Sequence, residues 1–312
     1  MHSIKILENI LKCNQNSCLG QIKYSKNILC CRKCGAKYKI IDGILVFNKS
    51  IGLRFWDKTK NAKSYAEKYS KYMKNSGTPF GLYTHSSELY SINRLTRRNN
   101  ISFKDKIIVD CGSGNGRYLA QYPNSYLRIA IDTSFELLKE AKKIDNKIIC
   151  ICSEIEKIPL KDKISNFTVC IRVLQHIKNS KIAIKEMGRI TNTNGWLCLL
   201  VYNKLNLKNI YKKIRMSKWF LKFKKWPLNY DEYYSLFQIK KLLKPNNLDI
   251  KGVSGSGWGL HFYFFDLIKF KSFPLKVQKV VLRIFFSLEK IIGEFSFFSY
   301  TLEKVSVLAK KR

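Results

Sequence analysis

Nowhere in this chain does a run of about 18 apolar residues pass without a charge, so no membrane-spanning helix is predicted. The nearest candidate, Lys279 to Tyr300, is interrupted by Lys279, Arg283, Glu289, Lys290 and Glu294 and reads as an amphipathic helical segment. The opening MHSIKILENILKCNQ lacks a long apolar stretch and a small-residue cleavage site, so a secretory signal is not expected and a cytoplasmic location is. Acidic residues are scarce: 22 Asp and Glu face 58 Lys and Arg, a formal charge of +36. That excess fits either an anionic partner or a lysine-rich composition. The 312 residues are 46% hydrophobic and 13% aromatic, enough to build a full core, which excludes a disordered chain and a disulfide-stapled miniprotein.

The 10 cysteines fall into two groups. Cys111, Cys150, Cys152, Cys170 and Cys198 sit in or beside apolar runs and read as buried structural thiols. Cys13, Cys18, Cys30, Cys31 and Cys34 crowd into the opening segment. Cys13-x4-Cys18 and Cys31-Arg-Lys-Cys34-Gly35 offer two thiolate pairs on tight turns, as tetrahedral zinc requires with sulfurs about 2.3 Å from the ion. Cys31 is preferred to Cys30 because it leaves a two-residue gap before Cys34. A ribbon that folds without metal is the alternative.

After this segment, 51–100 reads as a helical connector or lid. Phe55, Tyr65, Tyr69 and Tyr72 recur at helical spacing between Arg54 and Lys74, Ser76-Gly77-Thr78-Pro79 breaks the pattern, and a second helix is predicted from about Ser86 to Thr96. Two readings stand for its aromatics and for Tyr83 to Glu88: packing on the main domain, or approach to a bound ligand.

The strongest signal is Lys106-Ile-Ile-Val-Asp110-Cys-Gly112-Ser-Gly114-Asn-Gly116-Arg117. An apolar strand ends in an acid and three alternating glycines, and a helix is expected to begin near Arg117. Glycines let the loop turn sharply and let a ligand touch backbone. A dinucleotide fingerprint would require Gly where Arg117 stands, so another nucleoside ligand is favoured. Further strands are predicted at Tyr126 to Ile131, ending in Asp132; Lys147 to Cys152, leading to Glu154-Ile155; Phe167 to Val173, before Leu174-Gln175-His176; and Trp196 to Tyr202, after a Thr-Asn-Thr-Asn-Gly turn. Leu248 to Val253 and Val305 to Leu308 complete seven, with Gly252 to Gly257 expected as a flexible turn. The fold class is α/β, a Rossmann-like seven-stranded sheet with helices on both faces.

Together these residues resemble the class I S-adenosylmethionine-dependent methyltransferases, the group that includes ubiquinone-type small-molecule enzymes, over 101–203 and more loosely to the end of 101–312. The resemblance implies that Asp110, Gly112, Gly114 and Gly116 hold the methionine part of S-adenosyl-L-methionine. Asp132 takes the ribose, and Glu154 and Ile155 flank the adenine. Glu154 stands where Asp is commoner, and Asn166 where the family usually has Asp. Leu29 to Val46 resembles the zinc ribbon found as the activator subunit of tRNA and protein methyltransferases, which makes residues 1–50 a ribbon-like domain and Cys13, Cys18, Cys31 and Cys34 its structural zinc ligands. Its longer first gap and its lack of the family's prolines are departures from that pattern.

Methyl transfer is an in-line displacement that needs alignment more than proton chemistry. His176, past the fourth strand, is the candidate general base, with a structural role as the alternative. Arg172 is counted with the donor-site residues and could orient an anionic substrate. The Asn/Asp-Pro-Pro-aromatic motif of exocyclic-amine methylases is absent, and so is the Pro-Cys pair of pyrimidine carbon-5 methylation. The basic region 203–312 lies on the acceptor side; within it, Lys204 to Trp226 interleaves lysines with aromatics and suits RNA, an anionic membrane surface, or simply a solvated face. Phe262 to Phe298 is expected to carry an acceptor pocket or interfacial surface. The expected activity is methyl transfer to a small or lipid-linked metabolite. The alternatives are an RNA (tRNA or rRNA) methyltransferase and a catalytically idle partner-binding module.

Overall fold

The computed structural model describes residues 2–15, 18, 20–25, 28–47, 78–206, 233–257, 269–293 and 301–312. The expected helix over 54–74, nearly all of Lys204 to Trp226, and parts of Phe262 to Phe298 lie outside the described residues.

Five parallel strands form the centre: β5 (Ile107–Cys111), β6 (Leu127–Asp132), β7 (Ile149–Cys152), β8 (Ser165–Ile171) and β9 (Thr191–Tyr202). β10 (Leu248–Ser256) and β11 (Lys304–Lys311) add an antiparallel pair, β11 lying against β9. The opening segment supplies β1 (Ile22–Ser25), β2 (Ile28–Cys31), β3 (Lys37–Ile41) and β4 (Ile44–Val46). β4 pairs in parallel with β7, so ribbon and main domain share one 11-stranded sheet in the order β1-β2-β3-β4-β7-β6-β5-β8-β9-β11-β10. Strand order reverses between β5 and β8, which opens a crevice at their carboxyl ends.

Alternation along each strand feeds two cores. Val109, Ile129 and Ile131 point to the face covered by α1 (His2–Ile10), α4 (Ser180–Ile190) and α5 (Leu236–Leu243). Ile108, Ala130 and Cys150 point to the opposite face, under α2 (Pro79–Arg98) and α3 (Phe135–Ile144). α6 (Leu275–Ile292) packs on α2. The five later cysteines are all buried.

Several local expectations are corrected. No α-helix begins near Arg117; a short 3-10 turn, Leu119–Gln121, stands there, because Pro123 and the next strand leave no room. α2 starts well before Ser86, since Thr78 caps it by accepting from the Gly81 amide at 3.2 Å and Pro79 suits its first turn. The Thr-Asn-Thr-Asn-Gly segment belongs to β9, with Asn194 alone in the left-handed region at φ 63°. The segment from Gly252 to Gly257 is mostly strand β10, in register with β11. Its small residues are explained by α2 above: a Cβ on Gly252 would lie 2.8 Å from Leu95 Cδ2.

Gly252→Val should therefore destabilise the fold by about 1–3 kcal/mol through overpacking. The urea midpoint should fall with an unchanged slope. An unchanged midpoint would contradict this packing.

Candidate active site and metal centre

The loop after β5 is held by backbone in a form few side chains permit. Gly112, Gly114 and Gly116 have φ of 79°, 54° and 71°, all left-handed. A Cβ on Gly112 would run into the Val173 side chain, and one on Gly116 would lie 2.9 Å from Ala141 Cβ. The amides of Gly112 and Ser113 both donate to the Ile131 carbonyl, at 2.7 and 3.0 Å. Asp132 completes the turn: Oδ2 accepts from the Gly114 amide and Oδ1 from the Ser134 amide, each at 2.8 Å. The Ser153 amide donates to the Asp132 carbonyl at 3.0 Å, which sets Glu154 and the buried Ile155 on the same sheet edge.

Asp110 lies beneath this loop, fully buried, and among the described residues neither carboxyl oxygen has a hydrogen-bond partner. Burial, then the neighbouring Asp132 charge, push its pKa up to about 8. A buried carboxyl without partners beneath a glycine cradle fits a ligand that brings donors of its own. The structure thus brings Asp110, the three glycines, Asp132, Glu154 and Ile155 to one edge. Asn166 lies away from it, its Oδ1 accepting from the Ile107 amide at 2.9 Å.

Arg172 is turned elsewhere. It sits just past β8 at φ 55°, and its Nε is 3.1 Å from Glu88 Oε1. Lys304 Nζ reaches the same oxygen at 3.0 Å. Glu88 Oε2 accepts from Arg117 Nη2 at 2.9 Å and from the Tyr118 hydroxyl at 2.7 Å. Burial alone would raise the Glu88 carboxyl, but Arg172, Lys304 and Arg117 hold it well below the usual carboxylate range. Arg117 Nη1 also donates to His85 Nδ1 at 3.0 Å, and burial followed by the Arg117 charge lowers His85 to about 4. This network, centred on a residue of α2, joins that helix to the glycine loop and two strand ends. Sequence reasoning reached Tyr83 to Glu88 as a segment but missed Glu88 as its hub. The available signal was an acid inside a helix followed by Arg117 directly after Gly116. His176 follows in a 3-10 turn (Leu174–His176), its Nε2 3.4 Å from Gln175 Nε2.

In the ribbon, the sulfurs of Cys13, Cys18, Cys31 and Cys34 lie within 4.8 Å of one another. Cys13 Sγ and Cys34 Sγ are 3.6 Å apart, as are those of Cys18 and Cys31. A tetrahedron with metal–sulfur bonds of about 2.3 Å has edges of about 3.8 Å, so the spacing suits a thiolate-bound metal. Burial would raise the Cys31 thiol, yet the amides of Cys34 and Lys33 donate to it and bring it down to about 7. Cys30 stands outside the cluster, paired across strands with Lys23 and Lys37. Gly20 escaped notice in the sequence, although a Cβ there would strike Cys31 Sγ.

An open doubly wound sheet with a glycine cradle and a carboxylate at the second strand end is an arrangement suited to binding a nucleoside. Residues 109–199 match a family described as a methyltransferase domain. An uncharacterized protein of Methanocaldococcus jannaschii is 36% identical over 104 residues, 33% of this chain and 44% of that one. A tRNA (carboxymethyluridine(34)-5-O)-methyltransferase of Arabidopsis thaliana is 26% identical over 99 residues, 31% of this chain and 24% of that one. The chain spans less than half the length of the curated relatives it matches. Among solved structures, magnesium protoporphyrin IX methyltransferase from Synechocystis with bound S-adenosylhomocysteine superposes with a TM-score of 0.52 at 13% identity, covering 80% of this chain and 95% of that one. The complex of the Haloferax volcanii Trm112 methyltransferase activator with a candidate methyltransferase gives 0.52 at 12% identity, over 80% and 96%. These two likenesses concern the fold.

Two outcomes are expected. Metal analysis should find about one zinc per wild-type chain, as a four-thiolate site holds, and far less in a Cys31→Ser/Cys34→Ser variant; equal content in both would refute the site. Because the Asp110 carboxyl is raised in the fold, the unfolded chain binds fewer protons at this group, and the contribution of Asp110 to stability should fall as pH rises from about 4 to about 8. Asp110→Asn should remove that loss. Its stability advantage over wild type, from urea melts, should grow across this window by at least about 1 kcal/mol and level off above it.

Proposed function

We propose that the chain transfers a methyl group from S-adenosyl-L-methionine to a small or lipid-linked metabolite, with a structural zinc ion in the ribbon. The observation that carries this reading is the glycine loop closed by Asp132 over a buried Asp110 that has no hydrogen-bond partner among the described residues. The glycine amides and Asp110 would meet the amino-acid end of the donor, Asp132 the ribose hydroxyls, and Glu154 with Ile155 the adenine. When bound, the donor supplies a methyl group open to in-line displacement, so the protein's task is alignment and exclusion of water.

The chain's own residues divide that task. Glu88 draws α2 down over the carboxyl edge, and the burial of Glu88, Arg117 and Lys304 beneath it supports an acceptor small enough to enter under the helix. Arg172, oriented by Glu88, offers a partly exposed cation beside that entry. His176 would take a proton at a ring nitrogen where the acceptor atom carries one. The ribbon's four sulfurs would hold zinc for folding, away from the chemistry. A tRNA acceptor is the competing outcome.

Calorimetry with S-adenosylhomocysteine should show saturable binding by wild type and none by Gly114→Arg. Undiminished binding by the variant would sink the donor-site assignment. Incubation with labelled donor and either total RNA or a metabolite and lipid extract should place the label in the extract; label in RNA alone would overturn the acceptor class.

A further inference from the structure

α6 is amphipathic in an unusual way. Its inner arc, Gln278, Leu282 and Glu289, is buried, and Phe286 packs against the α2 aromatics. The outer arc divides lengthwise. Val277, Val280, Ile284, Leu288 and Ile291 recur at intervals of three and four residues and are all exposed, so they make one apolar stripe along the helix. Lys276, Lys279 and Arg283 line one side of that stripe, also exposed. The helix has a single acid, Glu289, and it faces inward: Oε2 accepts from the Tyr83 hydroxyl at 2.6 Å, and Oε1 from the Ser87 hydroxyl. The exposed surface of α6 therefore combines apolar side chains with positive charge alone.

We infer that α6 docks in the plane of an anionic lipid bilayer, its apolar stripe entering the headgroup boundary and its cations meeting lipid phosphates. An apolar face beside a lysine and arginine row is the pattern of interfacial helices. No helix among the described residues is long and apolar enough to cross a membrane. A second copy of the chain is disfavoured: an antiparallel two-fold pairing through this face would bring the same row of cations against itself, and in either orientation the exposed arc has no acid to answer it. An anionic surface gains with each cation brought near it.

The docking face is coupled to the donor site. Glu289 bonds to Ser87, the neighbour of Glu88 on α2, and Arg94 of α2 donates to the carbonyls of Lys290, at 3.1 Å, and Gly293. A membrane-bound α6 thus holds α2, and with it the Glu88 network, close to the bilayer surface. This sharpens the acceptor class proposed above, on which it rests, to one whose methylated group is presented from a membrane.

The test is flotation of the full-length protein with phosphatidylcholine vesicles, with and without phosphatidylglycerol, at low and high salt. Wild type should float with the anionic vesicles only, and less at high salt. Ile284→Asp/Leu288→Asp, and separately the charge reversal Lys276→Glu/Lys279→Glu/Arg283→Glu, should each reduce bound protein by about tenfold or more while S-adenosylhomocysteine binding stays at the wild-type level. Absence of flotation by wild type, or undiminished flotation of both variants, overturns the inference. So does a wild-type dimer in sedimentation that the Asp variant dissociates without any vesicle binding. Flotation by a wild type that binds no S-adenosylhomocysteine would uphold the surface and defeat the donor-site reading.

Discussion

A single buried carboxylate, that of Glu88, answers three cations that come from different parts of the chain. Arg117 follows the glycine loop, Arg172 follows β8, and Lys304 opens β11. None of these charges could be buried alone, because the desolvation of an unpaired ion outweighs what local packing returns. Their shared partner makes the arrangement of helix and strand ends all-or-none: α2 must lie across the carboxyl edge for the loop and both strand ends to be neutralised together. The crevice at the strand-order reversal therefore comes with its own roof.

The sequence made the central strands legible because their apolar runs are long and lie between turn residues. It made the glycine loop legible because three left-handed positions admit little but glycine, and Asp132 follows at the end of the next strand. Interactions between distant residues were less visible. Glu88 looks like an ordinary helix acid until Arg172 and Lys304 are brought to it. The stretch from Gly252 to Gly257 reads as a flexible turn when its composition is considered alone. Its small side chains are instead what a strand needs beneath a close-packed helix, Leu95 filling the space a larger residue would take. The helix expected after the loop failed for a local reason, a proline too near the next strand. The cysteine cluster was legible in its spacing, while Gly20, which keeps Cβ bulk away from Cys31, carried no signal before the fold was known.

The positive charge of the chain takes different forms in different places. Arg117 and Lys304 are buried against the Glu88 carboxylate, and the partly exposed Arg172 pairs with it too. Lys276, Lys279 and Arg283 face outward along one apolar stripe. A total of +36 therefore says less than the local company of each cation. The helix that roofs the crevice on one side is tied to the outward-facing helix on the other.

The parallel pairing of β4 with β7 closes what would otherwise be a bare edge of the main sheet. Unpaired strand edges are templates for adding a foreign strand, which is how folded proteins aggregate or swap segments. Of the described strands, the edges that remain are β1, four residues long with Lys23 on it, and β10, bent by an irregularity between Ile250 and Gly252 and bearing Asp249 and Lys251. Short, charged and bent edges are poor templates. The ribbon thus acts as a guard against misassembly, and a chain that lost it would bare the edge of β7, whose four residues carry no charge to deter a foreign strand.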